Sequence, residues 1–233
     1  VTRVICDEHD REAWLAHRRK FITSSDLMVF MGKQPSFWSF TSRESIIEDK
    51  MGAGIYEPNH NTEHGIANEE TNRVKAERLL GMSLPRCQKL CTNSKWPALA
   101  ATPDCYALPG PLAAPYKLLT SHPDLVDRVR DRVAGMHSVG GCQLKSTDAA
   151  RAVNYGKRGY GQLGTPQDWI THPPEYHLIQ VRAEMAIMGW EWGLLVGQLG
   201  AHNMVAWFIE QEPAFLAWLD EANEDAATTL GAL

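Results

Sequence analysis

Apolar residues recur at helical spacing through the first third of the chain and shift to strand-like runs in its middle and last third. From Glu8 to Met31 the pattern predicts a helix, a break at Ile22-Thr23-Ser24-Ser25, and a second helix from about Asp26. Serine and threonine just ahead of an apolar run are N-cap residues, and an aspartate suits the first helical turn. Phe37 to Met51 reads as helix and Gly52 to Asn61 as loop. The helical period returns from Gly65 to Leu80 and stops at Gly81. One stripe of that helix carries Ile66, Glu69, Arg73, Ala76 and Leu80, so a carboxylate and a guanidinium share a face with apolar side chains. Such a placement is uncomfortable unless the face borders a polar cleft.

Leu99 to Asp104 predicts a short strand ending at Pro103-Asp104, followed by a proline-rich loop from Leu108 to Pro115 and a charged helix from Pro123 to Val133. Val139 to Ser146 reads as a strand, and Tyr176 to Met188 as an amphipathic helix announced by Pro173-Pro174. Two strands, Glu191 to Leu199 and Asn203 to Glu210, are joined by a tight turn at Gly200-Ala201. Pro213 then opens a last helix to about Leu230, proline being tolerated in a first helical turn. The expected class is α/β, a small mixed sheet flanked by helices.

Composition narrows the function classes. The 233 residues are 44% hydrophobic and 22% charged, which fits one globular domain over residues 1–233 and excludes collagen-like, disordered and disulfide-stapled chains. No apolar run is long enough to span a bilayer, and the first residues carry charges where a signal peptide needs an apolar core. A soluble, cytoplasmic protein without a membrane partner is expected. The formal charge of -5 argues against a non-specific DNA coater, yet leaves room for an enzyme with a basic channel inside an acidic surface. An odd set of five cysteines (Cys6, Cys87, Cys91, Cys105, Cys142) reads as reduced thiols. Cys87 and Cys91 could begin a metal site, but no second close pair completes it.

Several chemistries are absent: no GxSxG nucleophile elbow, and Met31-Gly32-Lys33 lacks the glycine and hydroxyl residues of a phosphate loop. His60 and His64 stand i, i+4 as a zinc pair would, or are two loop histidines. Thr102-Pro103-Asp104 and Gln143-Leu144-Lys145 are more informative. Strand alternation sends Gln143 and Lys145 to one face while Leu144 fills the core. If the strand ending at Asp104 lies alongside, a carboxylate, an amide oxygen and an ammonium converge. Phosphodiester hydrolysis uses such a set: oxygen ligands for Mg²⁺, and a cation to position water and oppose developing charge. A turn aspartate and a solvated strand lysine would leave the same local pattern.

The order of motifs along the chain resembles the lambda exonuclease and YqaJ-like viral recombinase branch of the PD-(D/E)xK nucleases. Trp14-x3-Arg18-x3-Ile22-Thr23-Ser24-Ser25 is similar to that family's W-x3-R-x3-ITAS opening, and Gly65-x3-Glu69 to its G-x3-E. Ala101-Thr102-Pro103-Asp104 is similar to its SPD or TPD, and Gln143-Leu144-Lys145 stands where it has E-x-K. Tyr176 to Val181, with Met185 and Gly189, resembles its YxxQVQxxM helix. The match runs from about residue 14 to residue 220, and its specificity lies in the order, since no single motif is specific.

The resemblance implies a restriction-endonuclease-like core and a Mg²⁺-dependent exonuclease, with Mn²⁺ able to substitute. It would digest one strand of duplex DNA from a 5′-phosphorylated end, leaving a 3′ single-stranded tail. Implied partners are double-stranded DNA ends, further copies of the chain in a trimeric ring, and a single-strand annealing protein. Asp104, Gln143 and Glu69 would hold metal, Lys145 would orient or help deprotonate water, and Gln180 would hold the water network or the substrate. Arg18 and Ser25 would grip the 5′-phosphate, a role that suits a bidentate guanidinium beside a hydroxyl. Other roles stay open: Ser25 as an N-cap, Gln180 as a helix-to-sheet tie, Arg18 as a solvated arginine, and Glu69 as an ion-pair partner of Arg73.

Two departures from the family bear on activity. Position 143 is glutamine where the family carries an acid, which removes a full negative charge from a site for a dication. Cys105 replaces the usual glycine after the aspartate, and the long connection at about 106–138 reads as an insertion: a lid, a DNA guide or an oligomer contact. A non-catalytic DNA-end-binding module with a decayed site is therefore the competing reading. An iron-sulfur nuclease is disfavoured because no cysteine lies beyond Cys142.

Overall fold

A computed structural model describes residues 1–7, 10–34, 41–53, 60–147, 166–199 and 203–231, with side chains left undescribed at 60–67, 147 and 166–168. The turn at Gly200-Ala201, the start of the Phe37–Met51 reading, most of the Gly52–Asn61 loop and the side chains of His60, His64 and Ile66 lie outside the described residues.

Eight strands among the described residues form two four-stranded sheets. The first has the order β1 (Thr2–Asp7), β3 (Lys89–Asn93), β4 (Trp96–Ala101), β2 (Ile22–Thr23). The second has the order β5 (Cys105–Ala107), β6 (Gly140–Thr147), β7 (Trp192–Leu199), β8 (Asn203–Glu210). Each mixes one parallel pair, β2 with β4 and β6 with β7, among antiparallel neighbours. The mixed α/β class holds, with the sheet divided in two. The sequence pattern did not reveal β1 and β3, and the expected strand into Asp104 ends at Ala101.

The helices are α1 (Arg11–Arg18), α2 (Leu27–Phe30), α3 (Arg43–Lys50), α4 (His60–Leu80), α5 (Pro123–Ala134), α6 (Pro166–Thr171), α7 (Glu175–Met188) and α8 (Pro213–Gly231). Asp10 caps α1 by accepting from the Ala13 amide at 3.0 Å, and Ser42 caps α3 reciprocally with Ser45. The break before Asp26 holds the short strand β2. Helix α4 begins at His60, so the backbone around His60 and His64 is helical rather than loop.

Helix α7 organises the molecule because it packs on β3 and β4 of one sheet and on β6, β7 and β8 of the other. Ile179, Ala183 and Ile187 join a core with Ile22, Leu27, Phe30, Leu99 and Leu219. Val181 and Met185 face a second core with Trp169, Leu195 and Val205. The helix is therefore buried on more than one side, where the sequence suggested a single apolar face. Gly193 makes the close approach to β7: a Cβ there would lie 2.9 Å from the Met185 sulfur. On the opposite face of the second sheet, Cys142, Leu144 and Trp192 pack with Ala76, Leu79 and Leu80 of α4 and Val126, Val129 and Val133 of α5. The apolar face of α5, within the 106–138 segment, is thus spent on the core.

Candidate active site

Asp104 sits at the junction of the two sheets, after β4 leaves the first and immediately before β5 enters the second. Cys105 lies opposite Cys142 in the antiparallel β5–β6 pair, which brings Asp104 beside Gln143. The partner of β6 is thus the strand that begins after Asp104, where the sequence suggested the one ending at it. The backbone here is pinned: the Asp104 and Pro103 carbonyls accept from the Cys87 and Gln88 amides at 2.9 and 3.0 Å. The Asp104 carboxylate accepts from the Leu144 amide at 2.7 Å.

Alternation along β6 operates as expected, with Cys142 and Leu144 in the core and Gln143 and Lys145 on the other face, towards α7. Gln143 is only 3% exposed. Its side chain donates a hydrogen bond to Asp104, while its carbonyl Oε1 is buried with no donor among the described residues. Burial pushes the Asp104 carboxyl up to about 6. Lys145 and the Leu144 amide oppose that rise, Glu69 adds to it, and the Gln143 hydrogen bond opposes it. Asp104, Gln143, Lys145 and Glu69 are therefore electrostatic neighbours although they come from three distant segments.

Glu69 does not pair with Arg73. That guanidinium is taken by Glu70 at 2.7 Å and Glu77 at 2.9 Å. Glu69 instead accepts from the Gln88 amide at 2.6 Å. Gln88 adopts a left-handed backbone, φ 43°, which is uncommon for a residue with a Cβ and clusters at functional sites. Its backbone holds Pro103 and its side chain holds Glu69, so one turn fixes both acidic positions.

Gln180 reaches Asp104 only indirectly. Its amide donates at 2.9 Å to Glu184 one helical turn on, and the same oxygen accepts from the Ser24 hydroxyl at 3.1 Å. Glu184 is 3% exposed. Burial pushes its carboxyl up to about 8; Asp104 adds to the rise, while Gln180, Lys145 and Ser24 oppose it. The sequence reading missed this residue. The available signal was a lone carboxylate in the otherwise apolar run Ala183 to Met188.

Arg18 and Ser25 meet in a second cluster. The guanidinium donates to the Ser25 and Thr23 hydroxyls at 3.2 and 3.3 Å, lies over the Trp14 ring at 5.1 Å, and is 3.7 Å from Asp26. Behind it Lys50, 2% exposed, pairs with Asp26 at 2.8 Å. Burial alone would raise the Asp26 carboxyl, but Lys50 and then Arg18, with hydrogen bonds from Lys50 and Thr23, hold it down at about 2. Two cations and two hydroxyls against one carboxylate leave a net positive, donor-rich patch. Ser24 connects the two clusters, its neighbours Thr23 and Ser25 serving Arg18 and its own hydroxyl serving Glu184.

Neither the protein-family models nor the curated proteins match this sequence. Solved structures match the fold. LHK-Exo, an alkaline exonuclease from Laribacter hongkongensis, superposes with a TM-score of 0.62 at 17% identity, covering 95% of this chain and 93% of that one. Its complex with dAMP gives 0.63 at 16% over the same shares. A phage-related exonuclease from Haemophilus somnus 129PT gives 0.53 at 10%, covering 91% and 94%. The chain has the PD-(D/E)xK nuclease fold of these alkaline exonucleases.

The donor set suits a hard divalent cation, since Asp104 and Glu69 offer carboxylates and the Gln143 carbonyl is a buried acceptor awaiting a positive partner. Among the described residues, no group of three or more His, Cys, Asp and Glu side chains is arranged as a ligand set. The described cysteines are all free, and no described helix is long and apolar enough to cross a membrane.

Proposed function

We propose that this chain is a metal-dependent DNA exonuclease of the lambda exonuclease type, acting from 5′-phosphorylated ends of linear duplexes. The observation that carries the reading is the meeting of Asp104, Gln143, Lys145 and Glu69 at the junction of two sheets, in a fold shared with exonucleases. Asp104, Glu69 and the Gln143 carbonyl would hold Mg²⁺ or Mn²⁺, which supplies Lewis acidity at the scissile phosphate. Lys145 orients the attacking water and opposes charge developing on the phosphoryl oxygens. Water adds to phosphorus, the bond to the 3′-oxygen breaks, and that oxygen leaves with a proton from solvent. Gln180 keeps Glu184 in place beside this centre. Arg18 and Ser25 receive the terminal phosphate through charge-assisted hydrogen bonds, with Asp26 and Lys50 fixing the turn. Assembly as a ring and handover of the 3′ tail to an annealing protein belong to the same proposal.

The test is incubation with linear duplex DNA, with and without a 5′-phosphate, in Mg²⁺ and in EDTA. Strand loss only with metal, faster from phosphorylated ends, is the expected result. DNA binding with no product under any metal condition would favour the competing end-binding module, to which the neutral Gln143 lends weight.

A further inference from the structure

We propose that Glu184 is the carboxylate that supplies, from helix α7, the negative charge that Gln143 does not bring from β6. The inference rests on the nuclease reading above and adds a residue to it. Glu184 is carried by a buried helix that packs directly on β6 and β7, among Ala183, Met185, Ala186 and Ile187, all buried. A carboxylate at 3% exposure in such surroundings is costly unless something uses its charge. Two neutral donors, Ser24 and Gln180, both bond to Oε1, which fixes the group without neutralising it. The charged groups that act on it are Asp104 and Lys145, the same groups that define the candidate centre. No arginine or lysine forms a salt bridge with it among the described residues.

The charge count gives the reason. With Gln143 neutral, Asp104 and Glu69 against Lys145 leave a single negative charge for a dication. Glu184, protonated in the metal-free protein and ionised when a cation binds, makes it two. Bonded through Oε1 to Ser24 and Gln180, Glu184 acts as a positioning residue: it adds attraction for the cation and holds Gln180 and Ser24, while the bonds to metal would come from Asp104, Glu69 and the Gln143 carbonyl. The carboxylate absent from β6 would in effect stand on α7, an exchange between two elements that pack together.

The decisive experiment measures Mn²⁺ binding to the full chain by electron paramagnetic resonance, with melting temperatures recorded with and without the ion. Glu184→Gln keeps the acceptor for Ser24 and Gln180, so the fold should persist. Its Mn²⁺ affinity should fall by roughly 10–100-fold, the usual effect of removing an outer-shell partner. Gln143→Glu should restore most of that affinity in the Glu184→Gln background and change it less in the parent chain. Affinity within about twofold of the parent in Glu184→Gln, or equal effects of Gln143→Glu in both backgrounds, would overturn the exchange. Asp104→Asn separates this from the larger reading. If it too leaves Mn²⁺ binding intact, the nuclease site itself is wrong; if it abolishes binding while Glu184→Gln does not, only the role of Glu184 fails.

Discussion

Replacing Lys50 with methionine tests whether the Arg18 cluster is built as described. Lys50 is 2% exposed and its ammonium lies 2.8 Å from Asp26 Oδ2, while the aspartate is 17% exposed. The methionine fills most of the same space without the charge. Asp26 would then keep the Thr23 amide and hydroxyl, at 3.2 and 2.7 Å, and a guanidinium at 3.7 Å. A carboxyl held at about 2 instead of 3.8 reflects about 2 kcal/mol of favourable interaction with its surroundings. Leaving a buried charge with its main partner removed costs more, about 3–5 kcal/mol. The double variant Asp26→Asn/Lys50→Met, with no orphaned charge, should recover part of that loss. The sign of the pH dependence follows from a folded-state value below the unfolded one. Asp26 contributes its full stability above pH 3.8 and loses it as pH falls through about 2. Urea unfolding of the parent and both variants should therefore show a gap that is wide at neutral pH and narrows towards pH 2. A double variant as unstable as Lys50→Met, or a gap unchanged with pH, would refute the ion-pair account.

Other consequences are open to direct measurement. Gln143→Glu should raise metal-dependent cleavage; equal or lower activity with an intact fold would count against the site assignment. Arg18→Gln should slow resection of phosphorylated ends by about tenfold, the worth of one charge-assisted hydrogen bond, and leave unphosphorylated ends unaffected. Equal slowing of both would assign Arg18 a structural role. Gly197→Ala places a Cβ 2.6 Å from the Trp169 ring, itself 2% exposed. Overpacking of that kind should cost about 1–3 kcal/mol, read as a lower urea midpoint, and a neutral outcome would deny the close contact. Glu184 has a folded value of about 8 against an ordinary 4.5, so the metal-free protein binds its proton more tightly than the unfolded chain. Stability should fall as pH rises from about 4.5 to about 8, and Glu184→Gln should flatten that slope; an unchanged slope would place its source elsewhere.

Most of the helices and the strands from β6 onwards were legible because their apolar spacing is strong and their ends are marked by proline and glycine. Strand β1 was not, for Thr2–Asp7 carries Arg3 and Asp7 without alternation and is held by pairing with β3. Strand β3 is equally silent, since Lys89–Asn93 shows only two apolar residues in a row. Strand β2 is two residues long and exists because Ile22 and Thr23 pair with Leu99 and Ala100, a contact across more than seventy residues. At the candidate site, period-2 alternation correctly sent Gln143 and Lys145 to one face. It could not disclose that Asp104 would meet them through the strand after it, or that Gln88 in a left-handed backbone would take Glu69 from Arg73. Glu184 escaped because a glutamate in a helix is ordinarily solvated. Only the packing of α7 between two sheets makes it otherwise.

The two clusters share one frame, and this limits how they can act. Strand β2 is paired to β4, the Ser24 amide bonds the Ala100 carbonyl at 2.8 Å, and β4 leads within a few residues to Asp104. On the other side, Ser24 reaches α7 through Glu184, and α7 packs on β6, which bears Gln143 and Lys145. The Arg18 patch and the Asp104 centre are therefore joined by a backbone route and a side-chain route that meet at Ser24. A phosphate held by Arg18 and Ser25 would have a fixed position relative to Asp104, without a hinge between them. Binding energy from the end phosphate could then be expressed as orientation at the scissile bond instead of tighter binding alone. If the proposed function holds, damage to the grip should lower turnover as well as affinity, whereas damage at Lys145 should lower turnover alone.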